Sequence, residues 1–133
     1  MRSPWTWLCV VALGLAAGAV AAEEKADDAK GGTIIHSVYF WLKDTATKED
    51  AATIVTDLKE MLGKLECVKQ LDAGTPAPKG GGPVDDSYGV GLVVQFANQA
   101  AYDTYAKHPQ HLAFIEKHKA QWQKVVIYDF LRK

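Results

Sequence analysis

The chain has 133 residues, 48% of them apolar and 23% charged, with 15 Lys+Arg against 16 Asp+Glu. That length is one domain's worth of sequence, and the apolar fraction is too high for a disordered chain. The balanced charge lacks the clustered basic excess of a nucleic-acid binder, and two cysteines are too few for a disulfide scaffold.

The first 22 residues, MRSPWTWLCVVALGLAAGAVAA, read as a cleavable signal peptide. Arg2 supplies a positive start, and Trp7 to Val20 form an uncharged apolar run of 14 residues. A bilayer-spanning helix needs about 20. Ala19-Val20-Ala21 fits a small-residue cleavage site. The expected location is therefore secreted or periplasmic, with no membrane attachment after cleavage. Cys9 would leave with the signal, so the mature chain would keep only Cys67, read as a small core residue in a strand-like context. Residues 23–32, EEKADDAKGG, are polar and charged and end in glycines, which predicts a flexible leader. The domain proper then runs over 33–133.

Ile34 to Leu42 is rich in β-branched and aromatic residues and predicts a first strand. Thr47 with Asp50 three residues on starts a helix. Its apolar positions Ala51, Ile54, Val55, Leu58, Met61, Leu62 and Leu65 fall on one face. A short strand is expected at Cys67–Leu71, a mobile Pro/Gly loop at 74–83, and a third strand at Tyr88–Phe96. Asn98 caps a second helix that breaks at His108-Pro109 and resumes over Gln110–Gln121. Lys124–Phe130 is the fourth strand. The order β-α-β-β-α-β is that of an α+β, ferredoxin-like split βαβ sandwich.

Helices cover only one face of such a sheet, yet both faces of the first and fourth strands are apolar. Ile35, Tyr39, Trp41, Val126, Tyr128 and Phe130 would lie uncovered. A second copy packed sheet to sheet is the simple way to bury them, so a homodimer through this face is expected.

Chemistry-bearing residues concentrate in Tyr102–His111. Tyr105 and His108 share a helix face at a spacing of three, and the break at Pro109 lets His111 turn inward. His36 is a polar side chain in phase with Val38, Phe40 and Leu42. If that face is the helix-covered one, His36, Tyr105 and His111 converge at one end of a small-molecule pocket. Neutral histidine can take a proton there and a tyrosine hydroxyl can hold a carbonyl oxygen. Gly89 and Gly91 would leave space for a ligand or another backbone. Each residue alone also has a bland reading: a buried His or Tyr as a structural hydrogen-bonding group, and His108 as a stabiliser of the helix break. His108-x-x-His111 lacks the carboxylates or thiolates of a metal site, so neither metal nor cofactor is expected. His118 and Lys119 read as solvated surface.

The strand Ile-His-x-Val-x-Phe-x-Leu-Lys at 35–43, Phe-Ala-Asn-Gln-Ala-Ala-Tyr-Asp-Thr-Tyr at 96–105, His-Pro-Gln-His at 108–111 and Val-Ile-Tyr-Asp-Phe at 126–130 together resemble the stress-responsive dimeric α/β-barrel (Dabb) family. The resemblance covers about residues 33–131. It implies a ferredoxin-like monomer and a dimeric α/β barrel. In the family's plant polyketide cyclases of the olivetolic-acid-forming type, a tyrosine and the second histidine of His-Pro-x-His are the catalytic pair. Mapped by motif, these are Tyr105 and His111, with His36 as the first-strand histidine and His108 beside the site. Most members have no assigned activity. Three functions follow as expectations: a stress-related dimeric barrel that binds a small apolar or aromatic ligand at His36, Tyr105, His108 and His111; a cyclase- or lyase-like enzyme with His111 as base; and a haem-binding or monooxygenase-like barrel.

Overall fold

A computed structural model describes residues 31–78 and 80–133. The expected signal peptide, 1–22, and all but the last two leader residues lie outside the described residues.

Strand β1, Ile34–Leu42, lies at the centre of a four-stranded antiparallel sheet in the order β2-β3-β1-β4. Helix α1 spans Lys48–Asp57. It begins at a capping box in which Thr47 Oγ1 accepts the Asp50 N–H and the Asp50 carboxylate accepts the Thr47 N–H. One wider turn, Leu58–Leu62, continues it and closes with a bond from Gly63 N–H to Leu58 O. Only glycine fits there, since a Cβ on residue 63 would come within 2.7 Å of Lys59 O. Strands β2, Gln70–Gly74, and β3, Val90–Phe96, follow. Helix α2, Gln99–Lys107, starts at Asn98, whose side chain accepts the Ala101 N–H. Helix α3, Pro109–His118, follows directly, and a short 3₁₀ turn leads to β4, Trp122–Leu131.

The strand predicted at Cys67–Leu71 lies three residues later. Cys67 sits in a turn closed by Val68 N–H to Leu65 O, and pairing with β3 begins at Gln70 opposite Gln95. β3 begins at Val90 and not Tyr88, and β4 begins at Trp122, two residues before the predicted Lys124.

The core lies between the sheet and the helices. Val38 and Phe40 of β1 and Val90, Leu92, Val94 and Phe96 of β3 pack on Ile54, Leu58 and Leu62 from one side and on Tyr105 and Phe114 from the other. The period of two in the strands and of three to four in α1 produces this layer directly. The opposite face carries Tyr39, Trp41, Val126, Tyr128 and Phe130, aligned by the register Tyr39↔Val126, Ser37↔Tyr128 and Ile35↔Phe130. Tyr128 and Phe130 are 63% and 56% exposed, whereas Ile35, expected to lie uncovered on this face, is buried at 6%.

His118 is not surface. It is 3% exposed; its Nε2 lies 2.6 Å from Asp57 Oδ2 and its Nδ1 3.1 Å from Gln121 Oε1. Gln121 in turn donates to Asp50. This chain of bonds ties the end of α3 to both ends of α1. Counting a histidine as polar hides it, because its ring fills the space beside Phe114, with centroids 4.9 Å apart.

Candidate functional site

A cavity of about 240 Å³ lies between the helices and the sheet, with β1, β4, α2 and α3 supplying most of its wall. From β1 comes His36, 5% exposed and in phase with Val38 and Phe40. The antiparallel register sets it opposite Asp129 of β4. His36 Nδ1 lies 2.6 Å from Asp129 Oδ1. A carboxylate only accepts, so this contact puts the neutral ring's proton on Nδ1 and leaves Nε2 as a free acceptor. From α2, the Tyr102 hydroxyl donates to the other carboxylate oxygen at 3.2 Å.

The break at Pro109 sets the second half. Pro109 occupies the first position of α3, where its missing N–H costs nothing. His108 is the N-cap, and its Nδ1 accepts the Gln110 N–H at 3.1 Å. His108 is therefore engaged in holding the helix junction, and it is not among the residues lining the cavity. The turn it creates lays the His111 ring over Tyr105, with centroids 4.3 Å apart and planes 30° apart. His111 Nδ1 donates to Ala106 O at 3.3 Å. A carbonyl cannot donate, so His111 too presents Nε2 as the unprotonated nitrogen. Burial lowers the His111 pKa below the usual 6.5, with His36 and His108 adding to the effect and the Ala106 bond opposing it. The ring is neutral at pH 7 and fit to accept a proton.

Tyr105 is 2% exposed, and burial pushes its phenol well above the ordinary tyrosine value. It stays a hydroxyl. Among the described residues that hydroxyl has no hydrogen-bond partner. Burial and the nearby Asp129 charge raise Tyr102 in the same direction. The structure thus brings His36, Tyr105 and His111 to one cavity. The rest of the wall is hydrocarbon and aromatic: Phe40, Leu58, Leu62, Leu92, Phe114, Ile115 and Trp122. Val125 and Ile127 of β4 also line it, yet they are 37% and 52% exposed. The helix layer stops short of β4, and the cavity opens there.

Sequence reasoning passed over Asp129 and Tyr102 as site residues. The signal for Asp129 was present: a carboxylate in an apolar strand, in phase with Val125 and Ile127. Gly89 and Gly91, expected to leave space for a ligand or another backbone, mainly make room for neighbouring side chains. Gly91 pairs with Tyr39 on the face away from the cavity, and a Cβ there would lie 3.3 Å from the Tyr88 ring. A Cβ on Gly89 would press on Leu42 Cγ at 2.9 Å. These glycines admit protein side chains. Among the described residues no three His, Cys, Asp or Glu side chains form a group able to hold a metal ion, and no helix is long and apolar enough to cross a membrane.

Residues 34–131 match the family model of the Stress responsive A/B Barrel Domain, Dabb. The chain belongs to the Dabb family. A Dabb family protein with a ferredoxin-like fold from Mesorhizobium loti is 28% identical, with 77% of this chain and 98% of that one covered and a TM-score of 0.61. A dimeric ferredoxin-like protein of unknown function from Thermobifida fusca shares the fold at 20% identity, covering 77% and 93% of the two chains with a TM-score of 0.66. So does a hydroxynitrile lyase from Passiflora edulis, at 17% identity, 77% and 94% coverage and a TM-score of 0.65. No curated protein matches the sequence. The Dabb match agrees with the ferredoxin-like architecture.

Proposed function

We propose that this Dabb domain is an exported homodimer that takes a small apolar or aromatic ligand into the cavity and moves a proton on it. His111 Nε2 is the base, and the Tyr105 hydroxyl holds the oxygen on which charge develops. The carrying observation is the stacked Tyr105–His111 pair, which presents one free donor and one free acceptor to a mostly apolar cavity. In a water-poor setting a hydroxyl aimed at a developing oxyanion is worth more than in bulk solvent. His36, held by Asp129, supplies a second acceptor beside the pair and orients the ligand.

The Passiflora edulis protein of this fold is a hydroxynitrile lyase, so a lyase on this scaffold is chemically reasonable. Dimerisation rests on the uncovered apolar face and on the dimeric proteins of the same fold from Thermobifida fusca and Bacteroides fragilis. Export rests on the first 22 residues.

The test is hydrogen–deuterium exchange at the carbon next to the carbonyl in a panel of small aryl and alkyl ketones, followed by NMR with purified protein. Exchange above the buffer rate that is lost in His111→Ala supports catalysis. Binding without exchange leaves a ligand-binding barrel and removes the catalytic half of the proposal.

A further inference from the structure

The polar atoms of the cavity wall narrow the kind of molecule it selects. Among the described residues, four polar atoms of the lining side chains have no protein partner: His36 Nε2, His111 Nε2, the Tyr105 hydroxyl and Trp122 Nε1, the last fully buried. Two are acceptors and two are donors, and of the donors the Tyr105 hydroxyl belongs to the ring stacked against His111. No Lys or Arg lines the cavity. The nearest carboxylate, Asp129, already has both oxygens engaged, one by His36 and one by Tyr102.

We propose that the site selects uncharged, hydroxyl-bearing ligands, a single aromatic ring or short hydrocarbon carrying an alcohol, phenol or enol group, and rejects carboxylates and ammonium ions of the same shape. A hydroxyl donates to one imidazole Nε2 and accepts from Tyr105, so a single uncharged group pairs with both kinds of site. A carboxylate would lose its hydration with no cation to replace it. An ammonium would find acceptors but no free carboxylate oxygen, and its desolvation would go uncompensated. The hydrocarbon wall formed by Leu58, Leu92 and Phe114 sets the rest of the ligand.

This inference rests on the proposed ligand site but not on the proton transfer, and the experiment separates them. The purified protein is titrated at pH 7.5 with benzyl alcohol, benzoate and benzylammonium, following the imidazole resonances of His36 and His111 by NMR. Benzyl alcohol is expected to bind at least about tenfold more tightly than either ion. Benzoate or benzylammonium binding as tightly as the alcohol would overturn the proposal, as would failure of all three to shift the imidazoles at millimolar concentration. Ile127→Arg, at an exposed position two residues from Asp129 on the same strand face, places a cation at the mouth. Benzoate is expected to gain about tenfold in that variant, and an unchanged preference would refute the charge argument. Loss of ketone exchange in the wild-type protein with this ligand preference intact would remove catalysis alone.

Discussion

Replacing Asp57 with Ala is expected to unfasten α1 from α3. The His118 ring is almost wholly buried, and its Nε2 has one partner, Asp57 Oδ2 at 2.6 Å. Removing that oxygen strands a buried N–H, which costs about 1–3 kcal/mol. Lys117 also loses its 2.7 Å contact with the same carboxylate, but the ammonium is half exposed and this adds at most about 1 kcal/mol. The sum, roughly 1–4 kcal/mol, lowers Tm by about 4–8 °C for each kcal/mol in a domain near 100 residues. Circular-dichroism melts at pH 7 measure it, with Lys117→Ala as the control expected to move little. The effect should fade in acid. Burial raises the Asp57 pKa, yet the hydrogen bonds and charges of Lys117 and His118 outweigh it and hold the group below 3.8. A carboxyl with a depressed folded pKa contributes stability above its unfolded value, and that contribution is lost as pH falls through the folded pKa. Wild type and variant should therefore converge below pH 3.8. A variant within about 0.5 kcal/mol of wild type at pH 7 would show that the His118 contact carries no net stability.

His111→Ala should lower any proton-exchange rate by roughly 100- to 10,000-fold, with Tyr105→Phe also lowering it, as NMR exchange rates will show. Because burial places the His111 pKa below 6.5, activity should hold through neutral pH and fall only below that value, as the base becomes protonated. An acid limb above pH 6.5 would assign the base elsewhere. Trp41→Glu or Val126→Lys should convert a dimer, seen by light scattering of the wild-type protein at micromolar concentration, into aggregate or unfolded chain, since either places a charge on the face that pairing would bury; a folded wild-type monomer would refute the sheet-face interface. Phe114→Ala removes a fully buried ring between Phe40 and Trp122 and should cost about 3–5 kcal/mol in urea unfolding.

The sequence alone determined the element order, because its signals are local. The β-branched run fixed β1, Thr47 and Asn98 marked helix starts through their own backbone bonds, and Pro109 forced the break between α2 and α3. The phase of His36 with Val38 and Phe40 was equally legible, since a strand's two faces follow from alternation. What depends on distant partners was not. The start of β2 at Gln70 is set by the Leu65–Val68 turn and by pairing with Gln95, neither of which residues 67–71 encode by themselves. Asp129 is 93 residues from His36, and only the β1–β4 register joins them. His118, read as solvated surface, is 61 residues from its partner Asp57. Local pattern fixes where a side chain stands on its own element. Whether a polar group there is solvated, paired or aimed into a cavity depends on which element the tertiary fold brings against it.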